Sequence, residues 1–459
     1  MRKIYILLMM IFVLGCGKKL DLKPNSSLVI PTTVDDFENL LDNAEIFNLS
    51  PALAQMSADE YYIPTIADFQ SIVLIPSRTC YLWEKDIFQG LTQVADWRKP
   101  YAQIYYANSV LDELVKQNLE NTDGYKRIKG RALFARAYAF YELVSTFAKA
   151  YNGSTASSDL GIPLKLSSAI TQIVPRSTVQ QTYDQIISDA TQAAALLQTD
   201  VILNKRNRSS KVAAYALLAR VYLSMRKYIE TEDNADKALS LFSTLANYNT
   251  LSVDPTLSSF SLNSTETIYF SRITDYSETT LSRGEFYSIL PAIVNSFETN
   301  DLRKQVWLAQ NVNGNWYSKG INNNGRTPFT GLATDELLLI KAECLARRNL
   351  SQDAMDQVNR LLITRWNPNA TNPAKPYQPI TASSPSDALD KVLAERRKSL
   401  LWRSVRWTDL KRLNLEGRNI VLTRNLNGTT YTLQPNSPLY VLPIPDDEIG
   451  FTGIQQNIR

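Results

Sequence analysis

The side chains that most often perform catalysis are absent or unpatterned in this chain. It contains no histidine, which excludes Ser-His-Asp triads, imidazole general bases and His-containing zinc or haem sites. Its cysteines are Cys16, Cys80 and Cys344, which are too few for a four-thiolate metal site. There are 45 acidic residues, but no pattern singles out a catalytic carboxylate pair. We therefore predict that the protein is not an enzyme and uses no metal or cofactor.

Two charge-rich segments are better explained by structure than by chemistry. The acidic run 446–448 lacks the spacing of an EF-hand calcium loop, which favours a solvated or helix-capping role. The segment 395–412 alternates acidic and basic residues within a helical pattern. Arg406 with Asp409, and Asp409 with Arg412, have the i, i+3 spacing of intrahelical ion pairs.

A different chemistry is indicated at Cys16. The chain opens with the basic residues Arg2 and Lys3, continues with an apolar run over 4–14, and reaches Val-Leu-Gly-Cys at 13–16. This pattern is typical of a bacterial signal peptide, here residues 1–15, with lipid attached to Cys16; an ordinary signal peptide is the alternative. Each buried acyl CH₂ contributes ~0.8 kcal/mol, so several chains would hold the protein durably at a bilayer outside the cytoplasm. Residues 16–32 then form an extended tether.

Aromatic residues supply the strongest signal of binding. They make up 10% of the chain, and Tyr and Trp present an apolar face beside a polar edge. Such faces can stack on a sugar ring while neighbouring polar groups bind its hydroxyls, although they suit peptides nearly as well. Two loop-rich regions combine the two kinds of residue, and their candidate ligand-binding residues are Tyr61, Tyr62 and Trp83 in the first and Tyr276, Arg283, Trp316 and Tyr317 in the second. For Trp83 a role in the core is an equal alternative, whereas the polar flanks of Trp316 predict exposure.

Helical periodicity governs most of the remaining chain. We predict a first helix near Thr33, and apolar residues at i, i+3 and i+4 predict the others at 97–119, 125–150, 177–198, 209–227, 231–243, within 334–366 as a pair, and at 387–414. Small residues at the crossings of paired helices resemble degenerate tetratricopeptide repeats. Trp97, Trp402 and Trp407 are predicted to be core residues. The pattern thus predicts a mostly α fold with a loop-rich insertion of minor β content at about 247–333, and the chain length alone would allow two or three domains or one extended repeat array.

Composition adds two further inferences. A formal net charge of +4 over 459 residues does not suggest nucleic-acid binding. Cys80 and Cys344 could form a disulfide in an oxidising compartment, but the apolar helical surroundings of Cys344 favour a buried free thiol.

Short motifs spread over nearly the whole chain together resemble one family. They comprise the tether 16–24; Trp97, Tyr101, Ile104 and Asn108; Arg131–Val144; Gly161-Ile-Pro-Leu164; Ala394-Glu-Arg-Arg397 with Arg406–Arg412; and Leu442-Pro-Ile-Pro445 with Asn457. In this order they resemble the SusD/RagB outer-membrane nutrient-binding lipoproteins of Bacteroidetes. One departure is Arg403-Ser404, where the family usually has Glu-Gly, which leaves a local packing contact in doubt.

The resemblance implies that residues 33–459 form a single, mostly helical, SusD-like domain with tetratricopeptide-like helix pairs and loop-rich insertions. It also implies a lipoprotein on the cell surface that binds an oligosaccharide or peptide. A SusC-like TonB-dependent transporter is the implied partner, which the lipoprotein would cover as a hinged lid. The alternative function is a helical-repeat scaffold that binds envelope proteins or peptides.

Overall fold

The computed structural model describes residues 31–254, 264–274, 284–320, 327–369 and 376–459. Helices dominate these ranges, which confirms the predicted fold class. In chain order the α-helices are α1 Val34–Leu41, α2 Ala44–Phe47, α3 Leu53–Ser57, α4 Ile66–Ser71, α5 Ile75–Tyr81, α6 Ala95–Lys116, α7 Asp123–Phe147, α8 Val179–Leu196, α9 Lys211–Ser224, α10 Tyr228–Leu241, α11 Pro291–Val294, α12 Arg303–Trp307, α13 Thr334–Arg347, α14 Ser351–Leu362, α15 Pro385–Ser399, α16 Arg406–Leu415 and α17 Asp446–Thr452.

The strands are short and pair two at a time. They are β1 Leu49–Ser50, β2 Tyr61–Tyr62, β3 Leu160–Pro163, β4 Arg176–Thr178, β5 Thr267–Tyr269, β6 Arg272–Ile273, β7 Ser288–Ile289, β8 Leu308–Gln310, β9 Trp316–Ser318, β10 Leu332–Ala333, β11 Leu422–Leu426 and β12 Thr429–Leu433. The pairs are β1 with β6 (parallel) and, antiparallel, β2 with β7, β3 with β4, β5 with β10, β8 with β9 and β11 with β12.

Local sequence explains where the principal helices begin. Thr33 caps α1 and forms a capping box with Asp36, so the first predicted helix is confirmed. Thr178 and Gln181 form the same reciprocal cap on α8. Ser384 caps α15, whose first residue is a proline, the residue best suited to that position.

The helices stack in sequence order. Helix α7 packs between α6 and α8, and nearly all of its residues from Gly130 to Phe147 are buried. Helices α8, α9 and α10 continue the stack, and α10 then packs directly on α13. Alanines at the α9–α10 crossing, including Ala219 and Ala235, are fully buried, which lets the two backbones approach closely. The chain between α10 and α13 contains β5 to β10, α11 and α12, and it therefore leaves the helical stack and returns to it.

The predicted continuous helix at 387–414 is wrong. The structure has two helices, α15 and α16, separated by residues 400–405. Trp402 and Ser404 have φ values of 64° and 59°, and two left-handed residues this close together cannot continue a right-handed helix. Ser404 is the position at which the family usually has glycine, the residue that adopts this conformation without steric cost. Trp402 is nonetheless buried, as are Trp97 and Trp407, so these three predicted core residues are confirmed.

Candidate functional site

The two aromatic loop regions singled out in the sequence meet in the folded chain. Strand β2 pairs with β7, placing Tyr61 opposite Ile289 and Tyr62 opposite Ser288. The hydroxyl of Ser288 in turn accepts a hydrogen bond from the backbone N–H of Trp316 in β9, over 3.0 Å. Residues more than 250 positions apart are thereby fixed in one small array of extended segments.

Trp316 and Tyr317 are half-buried and pack against the hydrophobic cluster that contains Tyr287 and Trp402. The ammonium group of Lys304 lies over the Trp316 ring, 4.9 Å from its centroid. This contact holds the ring against α12 and leaves a cation beside it, and Lys304 forms no ion pair with any of the described residues. A half-buried indole next to an unpaired ammonium group combines a stacking face with a hydrogen-bond donor.

A closely packed turn positions Tyr317. Gly284 has φ +68°, and a Cβ there would lie 3.1 Å from the Tyr317 Cβ. Only a residue without a side chain fits this conformation at this distance without strain. The Gly284 carbonyl accepts a 2.7 Å hydrogen bond from the Asn311 side chain, which also fixes the turn between β8 and β9.

Tyr61 and Trp83 belong to the core. Only 2% of Tyr61 and 4% of Trp83 is exposed, and each polar group is bonded: Tyr61 Oη donates to the Met56 carbonyl, and Trp83 Nε1 donates to the Ser57 carbonyl. The buried Arg424 guanidinium lies 5.0 Å from the Tyr61 ring centroid and 4.6 Å from that of Trp83. The structure therefore leaves neither ring face open to a ligand.

The other predicted site residues fall into two groups. Tyr62 is half-buried next to its buried neighbour Tyr61 and shares a strand pair with Ser288. Tyr276 and Arg283, like the predicted lipidation site Cys16, lie outside the described residues.

A small cavity lies beside this array and was not foreseen from the sequence. Its volume is about 90 Å³. Its wall combines four aromatic residues with carboxylates, hydroxyls and one arginine, namely Tyr248, Trp307, Phe329, Trp402, Glu266, Asp335, Ser264, Thr267, Ser318, Ser399 and Arg403. The residues come from six separate segments, so no local pattern indicates them. The one signal available was the high aromatic content of the loops.

Trp402 joins the cavity to the aromatic cluster. Its ring stacks on Tyr287 with centroids 5.0 Å apart and planes 12° apart, and it meets Tyr61 edge-on at 5.4 Å. The Glu60 carboxylate accepts from the Trp402 backbone N–H and from the Gln55 side chain. Burial raises the pKa of Glu60 to about 7. These contacts hold residues 400–405, which separate α15 from α16, against the aromatic region around Tyr61.

Most charged residues of 395–412 form ion pairs, and Lys411 instead donates to the carbonyls of Ser145 and Ala148. Asp409 accepts from Arg396 at 2.9 Å and from Arg412 at 2.8 Å, and the latter confirms the predicted i, i+3 pair. The other predicted pair is wrong, because Arg406 lies at the start of α16 and binds Asp59 at 2.7 Å instead of Asp409. Paired in this way, these groups serve packing and leave no free carboxylate pair in the segment.

Other candidates give weaker sites. The acidic run 446–448 forms the first turn of α17, where Asp447 accepts a hydrogen bond from the Gln93 backbone. A cleft of about 610 Å³ lies between residues 149–160 and the C-terminal tail. Its one aromatic ring, Tyr440, packs on Trp407 with centroids 4.6 Å apart, so the cleft offers little surface for stacking.

Cys80 and Cys344 are both buried free thiols, which settles the alternative in favour of no disulfide.

Comparisons with known proteins agree with the fold. Residues 18–223 match the family model "Starch-binding associating with outer membrane", and residues 267–457 match the "SusD family" model. No curated protein matches this sequence. Within the described ranges, no helix has both the length and the apolar character needed to cross a bilayer.

Solved structures show the same architecture at low identity. A SusD superfamily protein from Bacteroides thetaiotaomicron is 20% identical with a TM-score of 0.72, covering 93% of this chain and 100% of its own. One from Bacteroides vulgatus is 21% identical with a TM-score of 0.70, covering 93% and 99%. A SusD-like carbohydrate binding protein from Bacteroides vulgatus is 19% identical with a TM-score of 0.66, covering 92% and 97%. With both halves matched by family models, the chain belongs to the SusD/RagB family.

Proposed function

We propose that this protein binds an oligosaccharide at the surface around Trp316 and Tyr317, and that it breaks no bond in doing so. The observation that carries the proposal is the half-buried pair of aromatic residues held on short paired strands beside Lys304. A rigid aromatic face stacks on the apolar side of a sugar ring without losing side-chain freedom. The description of family members as carbohydrate-binding proteins supports the same ligand class.

The polar groups near these rings can bind the hydroxyl groups of a sugar. Asn311 and Asn315 anchor the β8–β9 turn through the Gly284 carbonyl, and Lys304 supplies ammonium donors beside the indole. Donors placed around an apolar face are the pattern by which pockets orient neutral polar ligands.

We further propose that Cys16 carries lipid and anchors the protein to the outer membrane, exposed at the cell surface. The tether enters the described structure beside helices α6 and α7. The Gln117 side chain donates to the Pro31 carbonyl at 3.2 Å, and Tyr125 Oη donates to the Thr32 carbonyl at 3.4 Å. The family description of association with the outer membrane supports this location.

As partner we propose a SusC-like TonB-dependent transporter, to which the ligand passes from beneath the hinged lipoprotein. Purification of the lipid-anchored protein from outer membranes should recover a β-barrel transporter in stoichiometric amount. Recovery of other envelope proteins without a barrel would favour the helical-repeat scaffold instead.

The test of ligand binding is a titration of the purified protein with a panel of neutral oligosaccharides of different linkage and with peptides. Trp316→Ala should weaken binding of the best glycan by about tenfold, which corresponds to about 1.4 kcal/mol. Phe451→Ala is the matched control, because Phe451 is a ring on α17 that is 77% exposed. Selective binding of peptides would reject the glycan, and equal effects of the two variants would reject the site.

A further inference from the structure

The cavity beside Trp402 is too small to enclose a sugar ring, but it can hold a small substituent attached to one. Its volume of about 90 Å³ lies well below the roughly 300–1,000 Å³ of pockets that enclose whole ligands. A group of a few heavy atoms is the largest ligand part that it can enclose. Trp307, Phe329 and Trp402 make much of its wall apolar, which favours a group that carries a methyl.

Two buried donors in the cavity wall have no acceptor. The Nε1–H of Trp402, a residue only 3% exposed, and the Nε–H of Arg403 form no hydrogen bond with any described residue. A buried donor without a partner costs about 1–3 kcal/mol. An oxygen acceptor within hydrogen-bond reach of these two groups would remove this cost.

The charges of the wall indicate that this acceptor is neutral. Arg403 is already paired with Asp335 at 3.1 Å, and Glu266 is paired with Arg365 at 2.6 Å. Arg403 and Arg365 are thus each neutralised by a carboxylate. An anionic ligand group would enter the cavity without a countercharge and close to the carboxylates of Asp335 and Glu266. Burial of an uncompensated charge is strongly unfavourable.

The cavity lies next to the proposed binding surface. Ser318 lines it, and Trp316 lies two residues earlier on β9, so both side chains project from the same face about 7 Å apart. Lys304 and Trp307 are likewise on one face of α12, the first over the Trp316 ring and the second in the cavity wall. A sugar stacked on Trp316 would thus hold a substituent near the cavity.

We infer that this cavity receives the acetyl group of an acetylated or acetamido sugar, with the carbonyl oxygen accepting from Trp402 and Arg403 and the methyl packed among the aromatic rings. The inference rests on the proposed glycan-binding function and adds the substrate class. It makes the residues of the α15–α16 break determinants of specificity.

The experiment uses the purified full chain and two matched pairs of probes: N-acetylglucosamine with glucose, and N-acetylgalactosamine with galactose. Saturation-transfer NMR should show the largest transfer at the acetyl methyl protons, and titration should give at least tenfold tighter binding of one acetamido sugar than of its parent. Trp402→Phe and Arg403→Lys should each weaken only the acetamido sugar, about three- to tenfold, the loss of one hydrogen bond. Arg403→Lys keeps the positive charge opposite Asp335, so this variant still tests the inference if Trp402→Phe fails to fold.

The outcomes separate this inference from the function on which it rests. Equal affinity for both members of each pair would overturn the acetyl site while leaving glycan binding intact. Binding of neutral oligosaccharides from the panel with no transfer to any acetyl methyl would overturn it likewise. Failure of every glycan to bind would instead reject the proposed function, and the inference with it.

Discussion

The backbone N–H of Trp316 donates to the hydroxyl of Ser288, whose residue is paired with Tyr62. This relationship joins two aromatic regions that are far apart in the chain and fixes the backbone of the strand that carries the Trp316 ring. Because the ring is held by backbone pairing, its stacking face is formed before a ligand arrives.

The contrast between Trp83 and Trp316 gives a first prediction. Trp83→Phe removes the Nε1 bond to Ser57 and part of a buried ring, so it should lower the free energy of unfolding by about 1–3 kcal/mol. Affinity of the folded variant for the best glycan should be unchanged. Chemical denaturation and titration measure the two effects, and loss of affinity at unchanged stability would return Trp83 to the binding site.

Glu60 should make stability depend on pH. Its pKa is raised by burial from an ordinary value near 4.5 to about 7, so the folded protein retains a proton that the unfolded chain releases. The free energy of unfolding should therefore fall as pH rises from about 4.5 to 7, by up to about 3 kcal/mol for this group.

Glu60→Gln should remove the contribution of this group to the fall in the free energy of unfolding, because glutamine does not titrate. The variant should still fold, since one amide oxygen can accept the hydrogen bonds from Gln55 and Trp402. Burial also raises the pKa of Glu142 to about 7. Glu142 should therefore cause a similar fall in the free energy of unfolding, which remains in the Glu60→Gln variant. Denaturation of both proteins at pH 5 and pH 8 measures the difference. An unaltered pH slope in Glu60→Gln would show that Glu60 is ionised at neutral pH.

Arg136 and Asp189 provide a test of the helical stack. Arg136 on α7 donates twice to Asp189 on α8, at 2.7 and 2.8 Å, and once to Asn108 on α6 at 2.9 Å. Asp189→Ala leaves the guanidinium buried without its charge partner and should cost about 3–5 kcal/mol. The double variant Asp189→Leu with Arg136→Met should recover much of this loss, as thermal unfolding would show; equal losses would mean that the pair itself stabilises the fold.

Because Cys80 and Cys344 are buried, we expect both thiols to react slowly with thiol reagents in the folded protein. Burial raises the pKa of the Cys80 thiol to about 12 and that of Cys344 further, so neither is a thiolate at neutral pH. A thiol reagent should modify both only after denaturant is added. Mass spectrometry after non-reducing digestion should find the two unlinked, and a Cys80–Cys344 peptide would contradict the structure.

Sequence periodicity was enough to locate the long helices, because a wide apolar face recurs every 3.6 residues in α7 and its neighbours. It failed at 400–405, where the helical pattern of charges continues through Trp402 and Ser404 without a glycine or proline to mark the left-handed turn. Aromatic composition singled out two loop regions that the fold brings together, but it could not tell the buried Tyr61 and Trp83 from the half-buried Trp316. Their burial depends on Arg424, which is more than 340 positions away. The cavity is assembled from six segments, and no local pattern could reveal it.

The most direct test of this account compares glycan titrations of the wild-type protein with Trp316→Ala, Tyr317→Ala and the control Phe451→Ala, together with their melting temperatures. We predict that the first two weaken binding by about tenfold each while all melting temperatures stay within about 2–4 °C of the wild type. Undiminished binding in both Trp316→Ala and Tyr317→Ala would contradict the central claim that this surface holds the sugar.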